Sequence, residues 1–311
     1  MQENLKLVWQ NASNLNSKEI DNISELGDIT IIRDIITCSN NELRNQAIVL
    51  KLPINIIINE KLFASFIESI KLLEMCGAKI YIVHDHIDLG NLYLISQLDK
   101  SFSKKINKVR ENSSIDNPIV MEILSSYVNK LIVTKLSNKG CYAVGISGKD
   151  ANLLQARKSK LSHRRVANRD VIDIGFVSEP IIVNPEILLN FEDSNIIPVI
   201  TPFANDDQEK THLLNVNLTA ATIAVTLGAE HLIFPYEMSQ IFRGFQYNMK
   251  IQNANLLKSM LNDRNHYLEE ELIKIAIKVI ESIGNNVHFV NSKIPNSILL
   301  TMFANKNINL Y

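Results

Sequence analysis

The sequence predicts an α/β domain built on a mainly parallel sheet with helices on both faces. Short buried strand patterns alternate with longer amphipathic runs, glycines stand where those runs must stop, and Asn-Pro pairs stand where new ones begin.

Residues 1–45 are polar and weakly patterned, with one amphipathic stretch around Ile20 to Leu26, and read as an extension ahead of a main domain at 46–311. From Gln46 the pattern changes. Ala47 to Leu50 reads as a buried strand, and Lys61 to Cys76 as a helix with Phe63, Phe66, Ile67, Ile70 and Leu73 on one side. Gly77 suits its end, and Lys79 to Val83 is the next strand. Together these form a β-α-β unit, which implies parallel pairing under a crossover helix. Asn117-Pro118 opens a helix to about Ser137, Gly140 stops it, and Cys141 to Ile146 is a strand. Asn184-Pro185 opens a short helix ahead of a strand at Ile197 to Ile200. A helix over Thr219 to Leu227 ends at Gly228, and a strand follows at His231 to Phe234. Leu268 to Ile283 is helical, Val287 to Val290 a strand, and Pro295 to Phe303 a closing helix. No internal repeat or low-complexity linker interrupts the order.

Composition narrows the function classes. The 311 residues carry 32 basic and 33 acidic side chains, a net charge of -1, so no basic field is present to hold nucleic acid by counterion release. The longest apolar stretch, Ala47 to Ile58, is interrupted by Lys51, Pro53 and Asn55 and falls far short of a membrane span. Met1 to Trp9 lacks a basic-then-apolar signal pattern. Cys38, Cys76 and Cys141 are odd in number and widely spaced, which points to reduced thiols in the cytoplasm and to neither a disulfide framework nor a zinc site. The expectation is a soluble protein without nucleic-acid or membrane partners.

Specific motifs then emerge. Gly145 to Lys158 (GISGKDANLLQARK) resembles the G-L-S-G-K-D-G-N-L-x-x-A-R-K stretch of acetylglutamate kinases. Asp173 to Val177 and Val183 to Leu188 resemble D-L-G-x-V and V-N-P-x-x-L, and Ile197 to Pro202 resembles I-P-V-I-x-P. Leu214 to Ala221 is similar to N-x-N-A-D-x-A-A, Leu227 to Ile233 to L-x-A-E-x-L-I, and Val287 to Leu300 to V-H-I-I-D-G-R-I-P-H-A-L-L. These segments stand in family order. The resemblance, spread from about residue 46 to 303, implies the amino acid kinase (carbamate kinase-like) fold, a three-layer α/β/α sandwich. It implies a substrate-side N-lobe at about 46–200 and a nucleotide-side C-lobe at about 201–311. The family activity is transfer of the γ-phosphoryl group of ATP, with Mg²⁺, to the side-chain carboxylate of N-acetyl-L-glutamate, a step of arginine biosynthesis. Such catalysis rests on positioning and charge neutralisation, with no covalent intermediate.

By this resemblance Lys51 takes the place of the lysine in K-x-G-G, where an ammonium meets the phosphoryl oxygens; without it, a lysine at a strand end reads as a surface residue. Arg110 falls on the arginine of G-L-R-V-T, which grips the substrate carboxylate, and a guanidinium fork suits that task. Lys104, Lys105 and Lys108 lie nearby, so an exposed arginine in a charged stretch is the plain alternative. Asn215 and Asn217 fall on the substrate-contacting N-x-N. Other positions depart from the pattern. Pro53-Ile54 replaces the glycine pair, and proline has no N–H to offer a phosphate. The loop H-G-G-G-P has become His84-Asp85-His86-Ile87-Asp88, which brings a carboxylate near the phosphate path. A metal site there is weighed against side chains simply solvated on a loop, and solvation is preferred. Thr219 replaces the aspartate that arranges the catalytic lysines, and Pro235-Tyr236-Glu237 replaces L-T-D. Glutamates around 269–271 stand near the second lysine's place, Lys274 is about two residues off, and that second lysine is unassigned. Ser147 to Asp150 reads as a strand-ending turn, not a nucleophile site.

Two functional readings follow. One is an acetylglutamate kinase-like enzyme on an acyl amino acid, with phosphate-binding motifs eroded. The other is a catalytically impaired member acting as a binding, regulatory or structural subunit. The resemblance implies a homo-oligomer, a dimer or higher.

Overall fold

The structure is a computed structural model and describes residues 43–86, 118–158, 177–236, 249–251, 253–262, 270–284 and 286–304. Elements are numbered among these residues. In chain order they are β1 (Ala47–Leu52), α1 (Ile54–Ile58), α2 (Glu60–Met75), β2 (Lys79–His84), α3 (Pro118–Asn138), β3 (Ala143–Ser147), β4 (Leu154–Lys158) and β5 (Val177–Val183). There follow α4 (Glu186–Asp193), β6 (Ile197–Thr201), β7 (Phe203–Asn205), β8 (Thr211–Leu214), α5 (Val216–Leu227) and β9 (His231–Tyr236). The last elements are β10 (Met249–Ile251), α6 (Ala254–Asn262), α7 (Glu270–Ile283), β11 (Asn286–Asn291) and α8 (Ser297–Ala304).

Seven strands make one sheet in the order β10-β11-β9-β1-β2-β6-β3. All its pairings are parallel except β10 with β11. β1 lies at its centre, between β2 and β9, and every residue but Lys51 is buried. A strand covered on both faces reads as a continuous apolar run, and this is why β1 carries no polar alternation. Side chains still alternate between faces. Ile48, Leu50 and Leu52 meet Phe63, Ile67 and Ile70 of α2 and Val128 and Ile132 of α3. Ala47 and Val49 meet Ala220, Ile223 and Ala224 of α5 and Ile273, Ala276 and Ile280 of α7. The result is three layers around two apolar cores. Fully burying one such aliphatic side chain stabilises the fold by about 1.5–3 kcal/mol.

Helix ends follow local chemistry. Asn59 Oδ1 accepts from Leu62 N–H at 3.0 Å and starts α2. Past its end Gly77 has φ +82°, and a Cβ there would stand 3.3 Å from the Arg44 backbone. The helix expected over 219–227 begins three residues earlier, because Asn215 caps it at Val216. The closing helix starts after Pro295, at Ser297. A closed four-stranded ring, β4-β5-β8-β7, which no local sequence pattern signals, lies on the α5 face of the sheet. No helix of the described residues is long and apolar enough to cross a membrane. Cys76 and Cys141 are buried free thiols, and burial pushes Cys76 up and Cys141 up to about 11. Cys38, Arg110, residues 87–88 and nearly all of the expected extension lie outside the described residues.

Candidate active site

All strands at the centre of the sheet point their carboxyl ends toward one edge, and ligands of open parallel sheets bind beyond that edge. Helices that return to the next parallel strand present their N-termini there. α5 leads through Gly228 into β9, and α7 leads into β11, so the first turns of both stand at this edge. Their adjacency is direct, since Asn215 Nδ2 donates to Glu271 Oε1 at 3.0 Å. Strand alternation places Lys51 on the face that carries Val49, the face α5 covers.

Lys51 is held. Its Nζ stands 2.9 Å from Asp85 Oδ1, and the two side chains are only 15% and 19% exposed. The other carboxylate oxygen, Oδ2, accepts from Ile54 N–H at 3.0 Å. Asp85 thus takes up an ammonium and a backbone donor, the groups that would meet an incoming phosphoryl oxygen. Pro53, just ahead of α1, adds no donor. The donor chemistry fits a phosphoryl group, provided Asp85 yields it.

His84 corrects one expectation. The sequence places the His84 to Asp88 segment on a solvated loop, yet His84 ends β2 and is fully buried. Its register opposite Leu52 turns the ring into the α3 side of the sheet. Nδ1–H donates to Asp85 O at 2.8 Å, which leaves Nε2 to accept from Thr201 Oγ1–H at 3.0 Å. Asn129 Nδ2 donates to Val199 O at 2.8 Å and to Thr201 Oγ1 at 3.0 Å. Among the described residues no three metal-ligating side chains converge. Burial lowers the His84 pKa from 6.5 to about 4, against an opposing pull from the Asp85 carbonyl. Unfolding lets the ring ionise near its ordinary value, so acid favours the unfolded chain. The stabilising contribution is complete above pH 6.5 and is lost as pH falls toward 4, by up to about 3 kcal/mol. Urea unfolding between pH 7 and 4.5 is expected to show this slope, and His84→Gln should flatten it by about one proton. An unchanged slope in the variant would remove His84 from the acid response.

Asn215 has a structural role that its sequence context did not disclose. Oδ1 accepts from Leu218 N–H at 2.9 Å and caps α5, while its own N–H donates to Ser178 O at 3.0 Å. Asn217 lies in the first turn of α5 and is half-buried. Thr219 is fully buried, and its hydroxyl donates back to Asn215 O at 2.7 Å, so it serves the helix. Asn215→Ala is expected to cost about 1 kcal/mol in urea unfolding, and Asn215→Ser should recover most of it. Equal stability in the alanine variant would remove the capping role.

Nearby, a relay of Asp206 Oδ2, His212 and Ser178 Oγ spans the ring at 2.7 and 2.9 Å. Ser178 is 1% exposed, so this is internal bracing with no reachable nucleophile. The His212 contact holds the Asp206 carboxyl below its usual range. The expected turn after β3 is present. Asp150 Oδ2 accepts from Ser147 N–H at 2.7 Å, and Lys149 Nζ is tied to Glu122 at 2.7 Å and to Thr211 at 2.8 Å. Lys274 pairs with Glu270 on the surface of α7 and is 57% exposed. Glu270 and Glu271 favour the positive end of α7 and repel phosphate.

Comparison with known proteins agrees with this architecture. The family model described as "Amino acid kinase family" matches residues 46–280. The acetylglutamate kinase of Archaeoglobus fulgidus is 28% identical over 274 residues, which cover 86% of this chain and 93% of that one. That of Ehrlichia canis is 30% identical over 258 residues, 79% of this chain and 77% of the relative. Among solved structures, N-acetylglutamate synthase from Neisseria gonorrhoeae, complexed with coenzyme A and N-acetyl-glutamate, superposes with TM-score 0.63 at 15% identity. It covers 88% of this chain, which spans only 61% of the synthase. Carbamate kinase from Giardia lamblia bound to AMP-PNP gives 0.57 at 10% identity, covering 82% of this chain and 94% of that one. At these identities the solved structures establish the shared fold.

Proposed function

The chain belongs to the amino acid kinase family, and from that premise we propose that it binds N-acetyl-L-glutamate and transfers phosphate from ATP to its side-chain carboxylate. The observation that carries this reading is the position of Lys51, at the carboxyl end of the central strand on the face covered by α5. There an ammonium neutralises negative charge building on transferring oxygens. Asn217, in the first turn of α5, and Asn215, through the second N–H of an amide otherwise held by Leu218 and Glu271, are proposed to contact the acyl amino acid, by family position. Arg110 is proposed to pair with a substrate carboxylate, by family position alone. The substrate side is assigned to about 46–200 and the nucleotide side to about 201–311. Bound ATP with Mg²⁺ would supply the phosphoryl group. The likeness to curated acetylglutamate kinases over most of the chain supports the substrate class.

A second reading is favoured by Asp85 and by the glutamates opening α7. With the phosphate donors occupied and acidic neighbours added, the chain would bind the acyl amino acid without transfer and act as a regulatory or structural subunit. Hydroxylamine trapping of acyl phosphate, with ATP, Mg²⁺ and N-acetylglutamate, separates the two. Trapped product that disappears with Lys51→Ala supports transfer. No product, alongside a thermal shift caused by N-acetylglutamate, supports the binding subunit.

A further inference from the structure

We infer that Asp85 is a built-in competitor for the phosphoryl donor: its carboxylate holds Lys51 Nζ and Ile54 N–H, and a phosphate group engages them only by displacing it. This rests on the reading of the strand edge as a phosphoryl-transfer site and names the residue that controls entry to it.

One oxygen of Asp85 takes the ammonium at 2.9 Å and the other takes the amide at 3.0 Å, so a single carboxylate uses both donors. A phosphoryl group offers the same feature, two or more anionic oxygens on one centre. The backbone of Asp85 is also fixed. Its N–H donates to Leu52 O at 2.8 Å, and its carbonyl accepts from the buried His84 ring at 2.8 Å. With both main-chain groups anchored, the side chain leaves Cα in a set direction toward the gap between β1 and α1. Little entropy is lost in forming the pair, unlike a flexible surface ion pair. Both side chains are mostly sheltered from water, so the attraction is less screened than at the surface.

Displacement is also chemically consistent. When the carboxylate swings away, it carries a negative charge out of the phosphate's path and frees two donors together. The opposite assignment is a purely structural clasp between β1 and β2, with no ligand involved.

The test is titration of the full chain with AMP-PNP and Mg²⁺ by calorimetry, for the wild type, Asp85→Asn, and Asp85→Asn combined with Lys51→Ala. Asp85→Asn keeps the shape and an oxygen for Ile54 N–H while removing the charge. Its affinity for the nucleotide is expected to rise about tenfold or more, and the added Lys51→Ala should erase the gain. A change within about twofold, a loss of affinity, or a gain that survives Lys51→Ala overturns the proposal. Asp85→Ser is the second variant, and failure of both to fold assigns the pair to stability and equally overturns it. The lock and the reaction separate cleanly. A tenfold gain without acyl phosphate in any variant sinks the proposed transfer and leaves the competitor role standing; wild-type turnover with no gain in Asp85→Asn does the reverse.

Discussion

Replacing Gly145 with alanine is expected to destabilise the protein by about 3 kcal/mol or more. A Cβ at this position in β3 would stand 1.8 Å from Asn129 Oδ1 and 2.9 Å from its Cγ. Asn129 is 3% exposed and cannot swing aside, because its amide nitrogen holds Val199 O and Thr201 Oγ1. Either β3 moves off α3 or those bonds break and leave buried polar groups unmatched. Thr201 would then no longer be fixed beneath His84, and the disturbance would pass to Asp85 through the His84–Asp85 carbonyl bond. The melting temperature should fall by roughly 5 °C or more. A double variant with Asn129→Ala should recover the steric part, giving a measurable coupling between the two sites. A loss below about 1 kcal/mol would mean that α3 and β3 separate easily, contrary to the packing described.

Lys51→Ala is expected to lower turnover by about a hundredfold or more, because removal of one preorganised charge from a transferring group has that scale of effect. Its stability cost should be about 1–3 kcal/mol, because the sheltered Asp85 loses its ammonium but keeps the Ile54 amide. Lys51→Arg separates the two roles. A guanidinium can still pair with Asp85 and hold stability near the wild type, but it places its charge differently and should not restore turnover. Initial rates of hydroxamate formation, read beside urea melts of the same samples, check both halves. Turnover in Lys51→Ala within a few fold of the wild type would sink the assignment of this lysine to the moving phosphate.

The sequence disclosed the elements whose signals are local. α2 was legible because Phe63, Phe66, Ile67, Ile70 and Leu73 repeat at helical spacing between an asparagine cap and Gly77. The ring of β4, β5, β7 and β8 was not, because two of its strands are three and four residues long and one pairing rests on a bulge between Gln155 and Ala156. α1 escaped for a different reason: Ile54 to Ile58 is only five residues, four isoleucines and Asn55, too short for a period to distinguish helix from strand. In the site, motif likeness pointed to Lys51 and the asparagines as candidates. It could not find their partners, since Asp85 reaches Lys51 only through the β1–β2 register and Glu271 reaches Asn215 across 56 residues. The loss of aspartate at Thr219 was legible as chemistry; its reuse as a helix-bracing hydroxyl needed the fold.

The central place of β1 governs how the chain can come to be folded at all. One of its neighbours, β2, follows soon after it on the ribosome, but the other is β9, and Ala47 N–H finds Glu230 Oε2 at a separation of 183 residues. At about 5–20 residues per second, roughly ten to forty seconds of synthesis pass before that flank can close. During that interval a six-residue strand, apolar but for Lys51, has one row of backbone donors and acceptors unclaimed. The nascent protein therefore spends the early part of its life as a half-sheet with its most hydrophobic edge outward, a natural client for chaperones. Truncation anywhere before His231 should yield an aggregating fragment and not a smaller folded one.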